Sequence, residues 1–298
     1  MGDLCMFLPR CHEIAKANPN DEIFLLTKQN TKADQLLKYD PYIKNIVYID
    51  KNKIKKSFFF LVKFFFLHKF EKVYSYQYGP KYLKYIFLAK ISGVKKINYY
   101  GIFKKKEDMI KKSISANESW LGYKINCYEG CLYHPIKNTK IKKSIIIGIG
   151  ASGDNKRWPT EYFIELIRRI NEYLPYEFIL AGGNGELQII QQIKSSLKKI
   201  KFVSLEECNV QESIDLIVNS FFFIGNDTGF MHVSACLGMK AFCLYGDTPS
   251  NDSIYNKNII PILPYGMKEV YHDDHAMEKI LVDHVMSKIK SELNLEIK

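Results

Sequence analysis

No stretch of this 298-residue chain is long and apolar enough to span a bilayer, which takes about 20 such residues. The nearest approach, Phe58 to Leu67, is apolar at nine of ten positions, but it is short and Lys63 interrupts it. No G-x-G-x-x-G opens a helix after the first visible strand, so a dinucleotide-dependent oxidoreductase is a weak reading. No recognised nucleic-acid reader motif is present, and the basic residues do not interleave with a stacking platform, so nucleic acid is not the expected partner. Repeats and low-complexity tracts are absent. The seven cysteines are odd in number and lack framework spacing, which points to reduced thiols in the cytoplasm. Cys127 and Cys131 have no second ligand pair, so no metal site is expected there. The first residues, with Asp3 and Arg10, do not assemble a signal-peptide apolar stretch.

What is present is charge, unevenly divided. The chain carries a formal net +11. Residues 1–140 hold 26 Lys and Arg against 12 Asp and Glu, a net +14, while residues 141–298 hold 17 against 20, a net −3. A basic domain serves nucleic acid, an anionic membrane surface or an anionic substrate, unless its lysines simply occupy solvated positions. The segment KIKKSFFFLVKFFFLHKFEK, residues 53–72, adds aromatics to that charge. As a helix it puts Phe58, Leu61, Val62 and Phe65 on one face, which predicts core packing. Phe59, Phe66 and Phe70 widen that face beyond one buried stripe and leave a rim suited to a headgroup region.

Strand and helix patterns alternate along the whole chain, which implies parallel sheets with helices on both faces. Strands are expected near 23–27, 45–49, 72–76, 95–99, 144–149, 177–181, 200–203, 221–225 and 240–245. A length of 298 residues suits about two domains. The junction is expected near 134–143, with Pro135 as punctuation, dividing the chain into residues 1–138 and 139–298. A last helix near 276–293 is expected to reach back onto the first domain.

Two segments of the second domain carry the chemistry. Residues 222–246, FFIGNDTGFMHVSACLGMKAFCLYG, read as strand, short turn, helix and strand. In such βαβ units the turn amides and helix N-terminus at the strand's carboxyl end favour an anion, phosphate above all. Asp227 and Thr228 are placed to meet it. Residues 144–170, SIIIGIGASGDNKRWPTEYFIELIRRI, give a second strand, a small-residue loop ending in Lys156-Arg157, and an amphipathic helix opened by Pro159. Two strand ends therefore face one crevice.

With Lys156-Arg157-Trp158-Pro159, Asp227-Thr228-Gly229-Phe230-Met231-His232, Ala235, Gly238, Tyr245 and Gly246, the chain resembles glycosyltransferase family 9, the heptosyltransferase-like inverting enzymes of the lipopolysaccharide core. Gly2-Asp3 followed by Pro9 extends the resemblance to the amino end. The match is specific at 150–159 and 224–246 and pattern-level through the Phe-rich middle. It implies a GT-B architecture, two Rossmann-like α/β domains with parallel sheets facing a central cleft, an acceptor domain first and a donor domain second. It also implies transfer of a sugar, heptose by family default, from a nucleotide-sugar donor such as ADP-heptose to an anionic glycolipid acceptor, without cofactor or metal, at the cytoplasmic face of the inner membrane.

On this resemblance Asp3 is the candidate base, its other reading being a cap of the following helix. Lys156, Ser152 and the Thr228–Gly229 amides would hold the diphosphate. Glu186 matches the family's ribose-holding acid, though an acid in a helix's first turn is also favoured by the dipole. Asp227 either touches the sugar or orients its own loop. His232 is a donor contact by the match and a structural histidine otherwise, and Asp247-Thr248 adds a further loop. The family places an apolar strand before Gly-Asp, where this sequence has only Met1. The expectation is that the strand is encoded upstream and Met1 is internal. A member that lacks it, binds nucleotide or membrane and no longer catalyses is the alternative.

Overall fold

The computed structural model describes residues 1–49, 54–76, 83–99, 109–125, 132–135, 143–250 and 255–295. Cys127, Cys131, the Lys104–Lys106 run, most of the expected 134–143 junction and the side chain of Phe58 lie outside the described residues. The chain forms two compact units: unit 1 comprises Met1–Met6, Asp34–Asp40 and Tyr128–Lys298, and unit 2 comprises Phe7–Ala33 and Pro41–Cys127. Among the described residues no helix is long and apolar enough to cross a membrane.

The amino-terminal part runs through α1 (Gly2–Lys16), β1 (Phe24–Thr27), the four-residue α2 (Ala33–Leu36), β2 (Asn45–Tyr48), α3 (Ile54–His68), β3 (Lys72–Ser75), α4 (Leu83–Ile91), β4 (Lys96–Tyr99) and α5 (Met109–Leu121). Within unit 2, β1 pairs with β2 and β3 with β4, both parallel, with Phe24 opposite Asn45 and Lys72 opposite Lys96. Helices α3 and α4 share a core of Leu61, Phe65, Leu88, Ala89 and Val94. Leu61 and Phe65 are buried as their shared helical face predicts, and Val62 packs alongside them. Phe70 turns inward as well, in ring contact with Phe24, Phe64 and Phe65.

Unit 1 holds β5 (Ser144–Gly148), α6 (Thr160–Tyr173), β6 (Glu177–Ala181), α7 (Leu187–Ser196), β7 (Phe202–Ser204), α8 (Val210–Val218), β8 (Phe223–Asn226), α9 (Gly229–Cys236), β9 (Ala241–Leu244), β10 (Ile259–Ile262) and α10 (Val282–Leu293). Its six strands are all parallel, in the order β10-β9-β8-β5-β6-β7. Strands covered on both faces must be apolar throughout, and this is why β8 and β9 are buried at every residue. Helix α6 buries Phe163, Leu166, Ile167 and Ile170, and α10 buries Val282, Val285, Met286 and Ile289, each at i, i+3, i+4, i+7 spacing. Those two stripes pack together within unit 1, so the last helix places its apolar face on α6.

All nine expected strands are present, each within two residues of its expected bounds. The tenth, β10, is not among the expected strands, and its pattern is interrupted by Pro261. Proline cannot donate to a ladder and is confined to sheet edges. There β10 lies, paired only to β9, with Pro261 opposite Cys243 and exposed.

Candidate active site

The order β7-β6-β5-β8-β9-β10 reverses direction between β5 and β8, and in open parallel sheets the ligand crevice lies outside the carboxyl ends of the strands at such a switch point. The backbones there are unusually close. A Cβ on Gly225 would stand 2.2 Å from the Gly148 carbonyl oxygen, so only glycine allows this approach. The two expected loops, after β5 and after β8, are thereby brought side by side.

Asn226 locks them. It is fully buried at the end of β8; its Oδ1 accepts from the Trp158 amide at 3.0 Å, and its Nδ2 donates to the Ile149 and Gly150 carbonyls at 3.2 and 3.1 Å. Trp158, also fully buried, donates its indole N–H to the Ile280 carbonyl at 2.8 Å. The only sequence signal for Asn226 is a lone polar residue closing an apolar strand. Asn226→Ala orphans the Trp158 amide and two carbonyl contacts in a buried site, and should destabilise by about 2–4 kcal/mol. Urea unfolding measures it; a loss below about 1 kcal/mol would mean that water replaces the side chain.

Past Asn226 the backbone turns into α9. Thr228 caps this helix, its hydroxyl accepting from the Met231 amide at 3.4 Å. The amides of Gly229 and Phe230 are left without intrahelical partners, at the positive end of the helix dipole. On the β5 side, Asp154–Lys156 forms a tight turn. Ser152 is exposed and Lys156 half-buried, and among the described residues the Lys156 ammonium has no ion pair. Its neighbour Arg157 is engaged, with Nη1 on Asp154 and Nη2 on Glu186 Oε1 at 3.1 Å. Glu186, after β6, also accepts from the Gly183 amide at 2.8 Å. Its carboxylate therefore ties a third loop to the first, and Oε2 lies 3.8 Å from where a Gly150 Cβ would be.

His232 is buried, and both its ring nitrogens are occupied. Nε2 lies 3.2 Å from Asp227 Oδ1, and Nδ1 2.7 Å from the hydroxyl of the fully buried Tyr255. The Asp227 carboxylate faces Nε2, and Nδ1 shares a hydrogen bond with the phenol. Asp227 thus meets a side chain of the helix that follows it. Tyr255 carries no motif signal in the sequence. The start of α1 rests on the same helix: a Cβ on Gly2 would stand 2.8 Å from His232 Cδ2, and one on Gly229 would stand 3.3 Å from Met1 Cβ. Asp3 sits inside the first turn of α1, exposed, rather than in a turn ahead of it.

Two further groups complete the region. Asp247 is buried and fastens residue 275, accepting from the His275 amide at 2.9 Å. The Tyr245 hydroxyl is buried without a well-formed hydrogen bond, beside the weakly bonding Cys243 thiol, and burial pushes its pKa well above the usual phenol value. Tyr245→Phe removes a stranded hydroxyl, so unfolding stability should hold or rise by about 1 kcal/mol. A loss of similar size in thermal unfolding would show that the hydroxyl has a partner.

Fold and loops together define an α/β protein whose loops after β5, β6 and β8 meet at the switch point of a doubly wound parallel sheet. The chain belongs to glycosyltransferase family 9 (heptosyltransferase), whose family profile matches residues 104–270. It is 26% identical over 229 residues to lipopolysaccharide heptosyltransferase 1 of Campylobacter coli, an alignment covering 74% of this chain and 60% of that protein's length. Among solved structures it resembles the family 9 glycosyltransferase of Veillonella parvula, with a TM-score of 0.78 at 18% identity, covering 99% of this chain and 94% of that one. It also resembles an E. coli heptosyltransferase solved with ADP, with a TM-score of 0.73 at 15% identity, covering 97% and 96%. The fold is the α/β, parallel-sheet architecture of these GT-B structures.

Proposed function

We propose that the protein is an inverting, metal-independent glycosyltransferase that moves a heptose from ADP-heptose to an anionic lipopolysaccharide or lipooligosaccharide core acceptor. In this reading residues 139–298 form the donor domain and residues 1–138 the acceptor domain. The acceptor hydroxyl oxygen attacks the anomeric carbon while Asp3 takes its proton. The bond from that carbon to the diphosphate breaks, and the leaving group departs with the electron pair. A single displacement of this kind inverts the anomeric centre.

The observation that carries the reading is the meeting, in unit 1, of the loops after β5, β6 and β8, joined through Asn226 and the Arg157–Glu186 pair, with Lys156, which has no ion pair among the described residues, on the first and the N-terminal amides of α9 following the last. Those groups supply the positive charge a departing diphosphate needs. Family membership and the heptosyltransferase name of the Campylobacter coli relative support the choice of sugar. The contact of Gly2 with His232 supports Asp3 as the base, since it sets the first turn of α1 against the helix that opens at Thr228. Glu186, already clamped by Arg157, orders the loop on which the donor's ribose would rest. His232 has no nitrogen to spare and acts through Asp227, holding that carboxylate toward the sugar.

Thermal-shift measurements against ADP, UDP, GDP and CDP test the donor. ADP at 100 times its Kd should stabilise the fold by about 2.7 kcal/mol. Stabilisation by another nucleotide alone would replace the donor, and none by any would remove the site.

A further inference from the structure

We propose that the outward faces of α3 and α4 form a docking surface for an anionic phospholipid bilayer. Both helices spend one side on the shared core of Leu61, Phe65, Leu88 and Ala89. Their other sides are apolar too. On α3, Phe60 is 49% exposed, Phe66 49% and Leu67 68%; on α4, Leu83 is 39% exposed, Phe87 60% and Ile91 48%. A helix with apolar residues on every side is ordinarily buried or set against lipid, and these two are buried on one side only. Large apolar side chains gathered on adjoining helices are a contact surface, unlike single ones scattered over a protein.

Charge decides which contact. The 24 residues of α3 and α4 contain five lysines and no Asp or Glu. Lys63 stands exposed between the outward residues of α3, as Lys84 and Lys90 do on α4. Where the two helices end, a depression of about 370 Å³ is lined by Phe66, Phe70, Lys69, Lys95, Ser92 and Gly93, so both carboxyl ends open on one side. Glu71 shares that depression and pairs with Lys95 at 3.3 Å. Aromatic and leucine side chains flanked by lysines match a lipid interface, where apolar groups enter the acyl boundary and ammonium groups meet phosphates. A second copy of the chain would bring like charge against like. The assignment is independent of the chemistry proposed for unit 1.

Co-sedimentation of the full chain with phosphatidylcholine vesicles, with and without phosphatidylglycerol, tests it. Binding is expected to the phosphatidylglycerol vesicles and not to phosphatidylcholine alone, and to weaken as salt is raised. Leu83→Ser with Phe87→Ser should lower the partition coefficient at least tenfold, and Lys63→Glu, Lys84→Glu and Lys90→Glu roughly fivefold each. All are exposed, so unfolding midpoints and the ADP thermal shift should stay as in the unmutated chain. Absence of binding, equal binding to both vesicles, or variants that bind like the unmutated chain would overturn the proposal. So would a lipid-free dimer that Leu83→Ser with Phe87→Ser renders monomeric, because the face would then be a self-interface.

Discussion

Asp3→Asn should reduce sugar transfer by about 10²–10⁴-fold, the usual contribution of a positioned general base. Asparagine keeps the size and hydrogen-bonding reach of the side chain but cannot take a proton. The fall should appear in kcat, while ADP affinity stays within about twofold, because the base acts on the acceptor hydroxyl and has no part in holding the nucleotide. Stability should change little, since Asp3 is exposed in the first turn of α1. Losing a carboxylate there forfeits only its interaction with the helix dipole, about 0.3–1 kcal/mol. The decisive comparison is kcat against ADP Kd for the same pair of proteins. Turnover equal to that of the unmutated enzyme would assign Asp3 to the helix dipole alone and require another base.

Lys156→Ala should have the opposite signature. The ammonium carries no ion pair among the described residues, so its removal leaves no stranded partner and the fold should be as stable as before. A charge-assisted contact to a diphosphate contributes about 1.5–3 kcal/mol, so the Kd for ADP should rise roughly 10- to 100-fold. Lys156→Arg should recover part of this, because it restores charge at a different reach. Isothermal titration of the three proteins reads the difference directly. Unchanged affinity in a folded Lys156→Ala protein would take the residue out of the diphosphate site. Arg157 would then be the nearest cation to consider, although its guanidinium is already held by Asp154 and Glu186.

These two residues could be singled out in the sequence because each sits in a motif that resembles one of glycosyltransferase family 9, and the resemblance implies the role proposed for it. Others were not. Asn226 matters only because β5 and β8 are neighbours, and strand order is a property of the assembled sheet that the local pattern of either strand does not contain. Tyr255 reaches His232 across 23 residues, and nothing about an isolated tyrosine forecasts that contact. His232 matched a motif, yet only the folded chain shows that one of its ring nitrogens faces Asp227 and the other Tyr255. The exposed phenylalanines of α3 show the same limit. Their number is plain in the sequence, but which of them the core takes depends on how α3 lies against α4, with Phe65 drawn inward, as is Phe70 just past the helix, and Phe60 and Phe66 left outside.

The sequence by itself determined the α/β class, the nine strands with apolar patterns, the small-residue loops after β5 and β8, and the basic character of the first half. Those features are local or additive. A buried parallel strand must be apolar along its length, a turn before a helix must present amides, and charges sum wherever they fold. Tertiary structure decided the strand order that sets the two loops against each other, the acceptance of Pro261 at a sheet edge, the fixing of Asp227 through His232 and Tyr255, and which face of α3 met solvent. Each of these depends on groups far apart in the chain meeting in a close-packed interior, where fit and pairing select among arrangements that local pattern leaves equivalent.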